Sequence, residues 1–159
     1  MPYEIKRVNK TDEQWVDILL QEWWAGSNII TRGKVHPVNE YPGFVAVDEG
    51  QRVGLITYHI DALECEITSL NSLSEGKGIG TALVKAVKET AKKAGCNKVF
   101  LVTTNDNTGA LHFWQKRGFR IAAVRLNAIA ETRKSKPGIP LVSDDGIPIR
   151  DEIELDMVL

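Results

Sequence analysis

The feature that most constrains this chain is a change of period around three glycines set at alternate positions. From Leu63 to Asn71, Cys65, Ile67 and Ser69 alternate with Glu64, Glu66 and Thr68, which is the two-residue period of a strand. From Gly78 to Ala94, Ile79, Leu83, Val84, Val87 and Ala91 recur at helical spacing, and Gly95 supplies a left-handed stop. Between the two lies Leu73-Ser74-Glu75-Gly76-Lys77-Gly78-Ile79-Gly80-Thr81. Glycines in such a passage let the backbone approach a ligand and expose consecutive N–H groups at the positive end of a helix. That is a site for a phosphate or pyrophosphate; the alternative is a glycine-rich turn with no ligand. The dinucleotide fingerprint G-x-G-x-x-G fails because Thr81 stands where the third glycine belongs, and the P-loop pattern is absent.

The remaining periodicities place the other elements. Tyr3 to Val8 alternates as a half-buried strand, and Thr11-Asp12-Glu13-Gln14 has the spacing of a capping box. Trp15, Ile18, Leu19 and Trp23 then share one helical face. Residues 25–42, with Gly26, Gly33, Pro37 and Pro42, read as a loop holding one helical turn. Gly43–Asp48 and Arg52–Ile60 form a hairpin, and with Leu63–Asn71 a meander. Val99–Val102 is an apolar run suited to a strand buried on both faces. A short helix follows over Thr108–Arg117, then a strand over Phe119–Leu126, a connector over 127–150, and a final strand over Asp151–Leu159 with one wet face. The order predicts an α/β (α+β) fold, a mixed sheet with helices on both faces.

A chain of 159 residues, 43% hydrophobic and 26% charged, is sized for a single domain over 1–159 with a real core. Twenty basic against 21 acidic residues argue against a nucleic-acid partner, which needs a basic surplus. Two cysteines, Cys65 and Cys96, make no disulfide framework and read as core residues in a reducing, cytoplasmic setting. No apolar run reaches 18 residues and the N-terminal stretch lacks a signal-peptide core, so no membrane role is expected. The three histidines show no metal-ligand spacing, so no metal is expected.

After the buried apolar run stands Asn107-Thr108-Gly109-Ala110-Leu111-His112-Phe113-Trp114-Gln115-Lys116-Arg117-Gly118-Phe119. Glu75-Gly76-Lys77-Gly78-Ile79-Gly80 resembles the acetyl-CoA pyrophosphate loop of the GNAT superfamily of N-acetyltransferases, (Q or R)-x-x-G-x-(G or A). The segment from Asn107 resembles that family's second cofactor motif, N-x-x-A-x-x-(F or L)-Y-x-x-x-G-F. The two stand in order and 31 residues apart, from Gly76 to Asn107 (107 − 76 = 31), and the element order matches the GNAT fold over nearly the whole chain.

The resemblance implies a mostly antiparallel, splayed central sheet and acetyl-CoA as the acyl donor. The amides of Gly76, Lys77, Gly78, Ile79, Gly80 and Thr81 would hold the pyrophosphate, and Leu70, Ser72 and Leu73 would lie on the strand edge that pairs with pantetheine. A main-chain N–H near Leu70 would stabilise the developing oxyanion, a donor of the kind whose loss costs about 10²–10³ in rate. Asn107 would contact the pantetheine or phosphate arm, Ala110 would let it pass, Phe113 would flank it, and Lys116 could add charge. Two positions depart from the family pattern: Trp114 replaces a tyrosine acid, and Glu75 replaces arginine or glutamine. An indole N–H donates a hydrogen bond but gives up no proton, so Trp114 either steadies the thiolate or packs.

An amine acceptor, protonated at neutral pH, needs a base. By family analogy that base is Glu64 or Glu66, which share a strand face, ahead of His59 and His36. Glu22, Trp23 and Trp24, the loop to Pro42 and the connector 127–150 would line the acceptor pocket, and the exposed tryptophans leave room for a homodimer. The implied activity is acetyl transfer to a small-molecule or peptide amine by direct attack in a ternary complex. The alternative is a catalytically silent acyl-CoA-binding or regulatory module on the same fold.

Overall fold

The computed structural model describes residues 3–159, and the reading of Met1 and Pro2 lies outside it. The chain divides into two compact units. The first takes in the chain up to Ile29, His36–Val99 and Val158–Leu159; the second takes in Ile30–Val35 and Phe100–Met157. The fold is α+β, and the strand pairings of known register are all antiparallel.

In the first unit β1 (Tyr3–Arg7), β4 (Gly43–Asp48), β5 (Gln51–Asp61) and β6 (Glu64–Ser72) lie side by side in that order. The meander follows the sequence reading. The alternation of β6 does not persist, because the register against β5 slips between Thr57 and Tyr58 and leaves Thr68 as the extra residue of a bulge. Thr57 Oγ1 lies 2.8 Å from Thr68 Oγ1 and 2.6 Å from Ser69 Oγ, so the hydroxyls on both faces of the bulge are buried and satisfied.

Helix α1 (Glu13–Trp24) differs from expectation in its start and its face. The capping box belongs to Asn9 and Asp12 and opens a 3₁₀ turn over Lys10–Asp12 ahead of α1, whose own N-cap Asp12 makes no side-chain cap bond. Thr11 instead hydrogen-bonds to Asn9 Oδ1. Val16, Leu19 and Leu20 are buried while Ile18 and Trp23 are exposed, so the apolar stripe is rotated from the one the tryptophans suggest. The expected loop over 25–42 is a short hairpin, β2 (Asn28–Thr31) and β3 (Lys34–Pro37), followed by one 3₁₀ turn at Val38–Glu40. Arg32 and Gly33 turn it, both at positive φ.

Helix α2 (Ile79–Lys93) buries the expected Ile79, Leu83, Val84, Val87 and Ala91. Gly54 lets it approach the sheet: a Cβ there would lie 2.7 Å from Ile79 Cγ2 and 3.1 Å from Leu83 Cδ1. The start of α2, and with it the glycine loop, is thereby seated on β5.

In the second unit β7 (Lys98–Thr104), β9 (Glu152–Val158) and β8 (Arg120–Arg125) are adjacent in that order, β7 beginning in the first. Helix α3 (Thr108–Lys116) matches its motif, whereas α4 (Ala128–Ser135) lies inside the segment read as a connector. The final strand corrects the sequence reading too. Its acidic face is not wet: Glu152, Glu154 and Asp156 are buried, Arg125 on β8 bonding the first two and Arg120 the third. Charges pair across the strands as the register demands.

Candidate active site

The glycine segment folds as its residue types require. Gly76 and Gly78 have φ of 78° and 72°, the left-handed region that side chains enter at a cost, and Gly78 is the N-cap of α2. With no side chain at the cap, the amides of Gly78, Ile79 and Gly80 have no acceptor within the helix. A Cβ at Gly76 would meet nothing within 4 Å, and one at Gly78 only Tyr3 Oη at 3.8 Å. The glycines at 76 and 78 therefore serve backbone conformation, with open space where a side chain would stand, and N–H groups at a helix start are the kind that hold an oxyanion group. The Tyr3 hydroxyl donates to Gly78 O at 3.3 Å. Lys77 Nζ is held by Asp48 Oδ2 at 2.9 Å, and this hydrogen bond holds the ammonium above its ordinary pKa, so a cation stands at the loop. Glu75 is exposed.

On β6 the two candidate bases part company. Glu64 is partly exposed and lies 3.5 Å from Lys98 Nζ. Glu66 is 5% exposed, with Oε1 3.4 Å from Nε2 of His36, itself 1% exposed. His36 Nδ1 lies 2.7 Å from the Tyr41 hydroxyl, and the Tyr41 ring stacks on His59 with centroids 4.7 Å apart. A carboxylate at Nε2 calls for a proton there, which leaves Nδ1 to accept from Tyr41. Burial above all, then Glu66 and Glu40, raises the Tyr41 pKa, so the phenol keeps its proton at neutral pH. The sequence named His36, His59 and Glu66 singly; the fold joins them through Tyr41, a residue sequence reasoning had not connected to them.

The backbone of Leu70 pairs opposite Ile56. The Leu73 N–H is engaged by Val53 O at 2.8 Å, and the Ser72 hydroxyl donates to Ser74 O at 3.4 Å. The Trp24 indole N–H donates to Asn71 Oδ1 at 3.0 Å.

In the second unit Asn107 caps α3 by accepting from Ala110 N at 3.1 Å. Phe113 and Ala110 are half-buried on that helix, and Lys116 is exposed. Trp114 is 5% exposed and edge-to-face with both Phe113 and Phe119 at 5.0 Å, the geometry of a packing residue. Arg117, not singled out in the sequence, lies 3.6 Å above the Phe113 ring, an i to i+4 pair on α3. The β2–β3 tip and α4 line one cavity of about 430 Å³ together with Arg125 and Glu152.

Both cysteines are buried thiols. Burial, with Cys96 and Glu66 as lesser causes, pushes Cys65 up to about 12, and burial raises Cys96 as well. Neither is a nucleophile at neutral pH. Among the described residues no group of His, Cys, Asp and Glu is arranged to hold a metal ion, and no helix is long and apolar enough to cross a membrane.

Comparison with known proteins accords with this layout. The family model described as Acetyltransferase (GNAT) family matches residues 6–119. The uncharacterized protein YdhI of Bacillus subtilis (strain 168) is 47% identical over 144 residues, covering 90% of this chain and 89% of its own. An IAA acetyltransferase from Bacillus cereus ATCC 14579 superposes with a TM-score of 0.74 at 25% identity, over 99% of both chains. A GNAT family acetyltransferase from Elizabethkingia anophelis, solved with acetyl-CoA bound, shares the fold with a TM-score of 0.70 at 22% identity, over 99% of both chains. The chain belongs to the GNAT family of acetyltransferases and is an acetyl-CoA-dependent acyltransferase.

Proposed function

We propose that this protein is an N-acetyltransferase that passes the acetyl group of acetyl-CoA to an amine by direct attack within a ternary complex. The observation that carries the reading is the start of α2, where a left-handed glycine cap leaves main-chain amides without intrahelical acceptors and no side chain beside them at 76 and 78. The amides of residues 76–81 bind the pyrophosphate, with Lys77 adding charge nearby, and the stretch of β6 near Leu70 and Ser72 takes the pantetheine arm. Acetyl-CoA supplies the activated acyl group. Asn107, Ala110 and Phe113 are assigned to the donor on their resemblance to the family's second cofactor motif, and a main-chain N–H near Leu70 stabilises charge on the thioester oxygen.

The amine must lose a proton. Of the two carboxylates, Glu66 serves through His36 and Tyr41: the Tyr41 oxygen takes the proton as its own passes to His36 Nδ1, and Glu66 stabilises the imidazolium at Nε2. Glu64, paired with Lys98, has no such partner chain. Attack is direct because the buried thiols Cys65 and Cys96 offer no thiolate to carry an acyl group. Trp114, buried where the family has a tyrosine acid, favours one second reading, a CoA-binding module without turnover.

Release of free CoA thiol from acetyl-CoA, measured against a panel of small amines and peptide N-termini, separates the two. Release that depends on one amine class is expected. CoA binding without release for any amine would leave only the silent module.

A further inference from the structure

Two side chains outside the glycine loop grip it, and the proposed acetyl transfer uses neither. Tyr3 and Asp48 stand directly opposite each other where β1 meets β4. They share a sheet face with Ile5 and Ala46, and Ala46 is opposite Gly54, on which α2 is seated. From there the Tyr3 hydroxyl donates to Gly78 O at 3.3 Å, and Asp48 Oδ2 accepts from Lys77 Nζ at 2.9 Å. Consecutive residues of the loop are thus held by one cross-strand pair of the sheet. The anchor is stiff. Asp48 pairs with Gln51 around a two-residue turn whose Glu49 and Gly50 have φ of 50° and 79°, the conformation that closes a tight hairpin.

Peptide geometry says what this grip controls. The peptide unit is planar and trans, so the Gly78 carbonyl and the Ile79 N–H lie in one plane and point opposite ways. Gly78 O accepts from Ala82 N at 3.0 Å, the first bond of α2, and from Tyr3. Holding that oxygen from two sides fixes the direction of the Ile79 amide, which has no acceptor within the helix. The Asp48 side chain is 11% exposed and that of Lys77 45%, so the enclosed carboxylate anchors the long exposed lysine. Freed from Asp48, the lysine regains rotamer freedom that it must lose again to meet a phosphate. That loss outweighs what an exposed ion pair returns.

We propose that Tyr3 and Asp48 are positioning residues for the coenzyme, holding residues 77 and 78 so that the amides opening α2 face the diphosphate before it binds. A loop already in its bound form spares the ordering cost of binding. The inference rests on the reading that this loop binds the diphosphate, and it adds two residues that act through the loop.

The test is calorimetry on the full chain, titrating CoA into the wild type, Gly78→Asp, Tyr3→Phe and Asp48→Asn. Pantetheine, which carries the arm without the diphosphate, is measured by its displacement of CoA from the wild type and the last two variants. Tyr3→Phe keeps the ring and loses only the hydroxyl, and should weaken CoA about two- to tenfold. Asp48→Asn should weaken it about two- to fivefold. Pantetheine affinity should stay at the wild-type value in both, and in thiol release the KM for acetyl-CoA should rise at unaltered kcat. Pantetheine weakened by the same factor as CoA, or kcat lowered in place of a raised KM, would make the two residues merely structural and overturn the inference. CoA affinity unchanged in both variants, or raised in Asp48→Asn, also overturns it, while a loss in Gly78→Asp leaves the loop reading standing. CoA not bound by the wild type, or bound equally by Gly78→Asp, removes the loop reading and this inference with it.

Discussion

At the scale of single residues, Trp114 and Tyr41 carry opposite expectations. Trp114 is enclosed by Phe113 and Phe119, so Trp114→Phe keeps most of the packing and should lower turnover by less than about tenfold. A thousandfold loss would put the indole N–H into the chemistry. Tyr41→Phe keeps the stack on His59 and removes only the hydroxyl that meets His36. It should cost about 10²-fold in kcat at neutral pH. The loss should shrink as pH rises toward the pKa of the amine, because a growing fraction of the acceptor then arrives unprotonated. Glu66, His36, Glu40 and His59 are the titratable groups around that hydroxyl, and a wild-type pH profile in the variant would remove Tyr41 from the relay. Local residues were the legible part of the site: Gly76 and Gly78 stand where only a left-handed backbone makes the turn, and Asn107 stands at a cap. The union of His36, Tyr41, His59 and Glu66 was not legible, because it joins a 3₁₀ turn to strands far along the chain and no local period records that.

At the scale of elements, the long, strongly periodic ones could be read and the short polar ones could not. The α2 stripe stood in the sequence because a helix burying one face repeats its apolar residues for four turns. Strands β2 and β3 have four residues each and turn on Arg32-Gly33, which lacks the usual asparagine or aspartate of such turns. Helix α4 buries only Ile129, and its N-cap Asn127 makes no side-chain cap bond, so neither stripe nor cap announced it. The rotation of α1 has a like cause: two tryptophans drew the expected face toward residues that solvent covers. The seat of α2 on β5 gives a test at this scale. Gly54→Ala places a methyl 2.7 Å from Ile79, which should cost about 1–3 kcal/mol in urea unfolding through overpacking. The same change shifts the glycine loop and should weaken CoA binding. Unaltered stability would mean that α2 is not seated by that contact.

At the scale of the whole molecule, stability and chemistry meet at Cys65. Its thiol ionises near 9.0 in the unfolded chain and is pushed up to about 12 in the fold, chiefly by burial. The folded protein thus holds a proton that the unfolded chain releases, so this contribution is complete below about pH 9 and is lost as pH rises toward 12. Melting temperature should fall across that window, and less steeply in Cys65→Ala. Equal slopes would assign the alkaline loss elsewhere. The same burial predicts that mass spectrometry after incubation with acetyl-CoA finds no acetyl group on either cysteine. The α+β class was legible from the order of periods, whereas the buried acidic face of β9 was not: Glu152, Glu154 and Asp156 alternate as an exposed edge would, and the arginines of β8, with the Arg32 N–H on Glu152, make their burial tolerable.

The central claim, that main-chain amides at the start of α2 hold the coenzyme diphosphate, is tested most directly by calorimetric titration of CoA into the wild type, Gly78→Asn and Gly78→Asp. Asparagine and aspartate both tolerate the left-handed conformation, so the pair differ mainly in charge. The account predicts binding by the wild type, weaker binding by the asparagine variant, and none measurable by the aspartate variant at the same protein concentration. Equal affinity in all three would show that the diphosphate is held elsewhere.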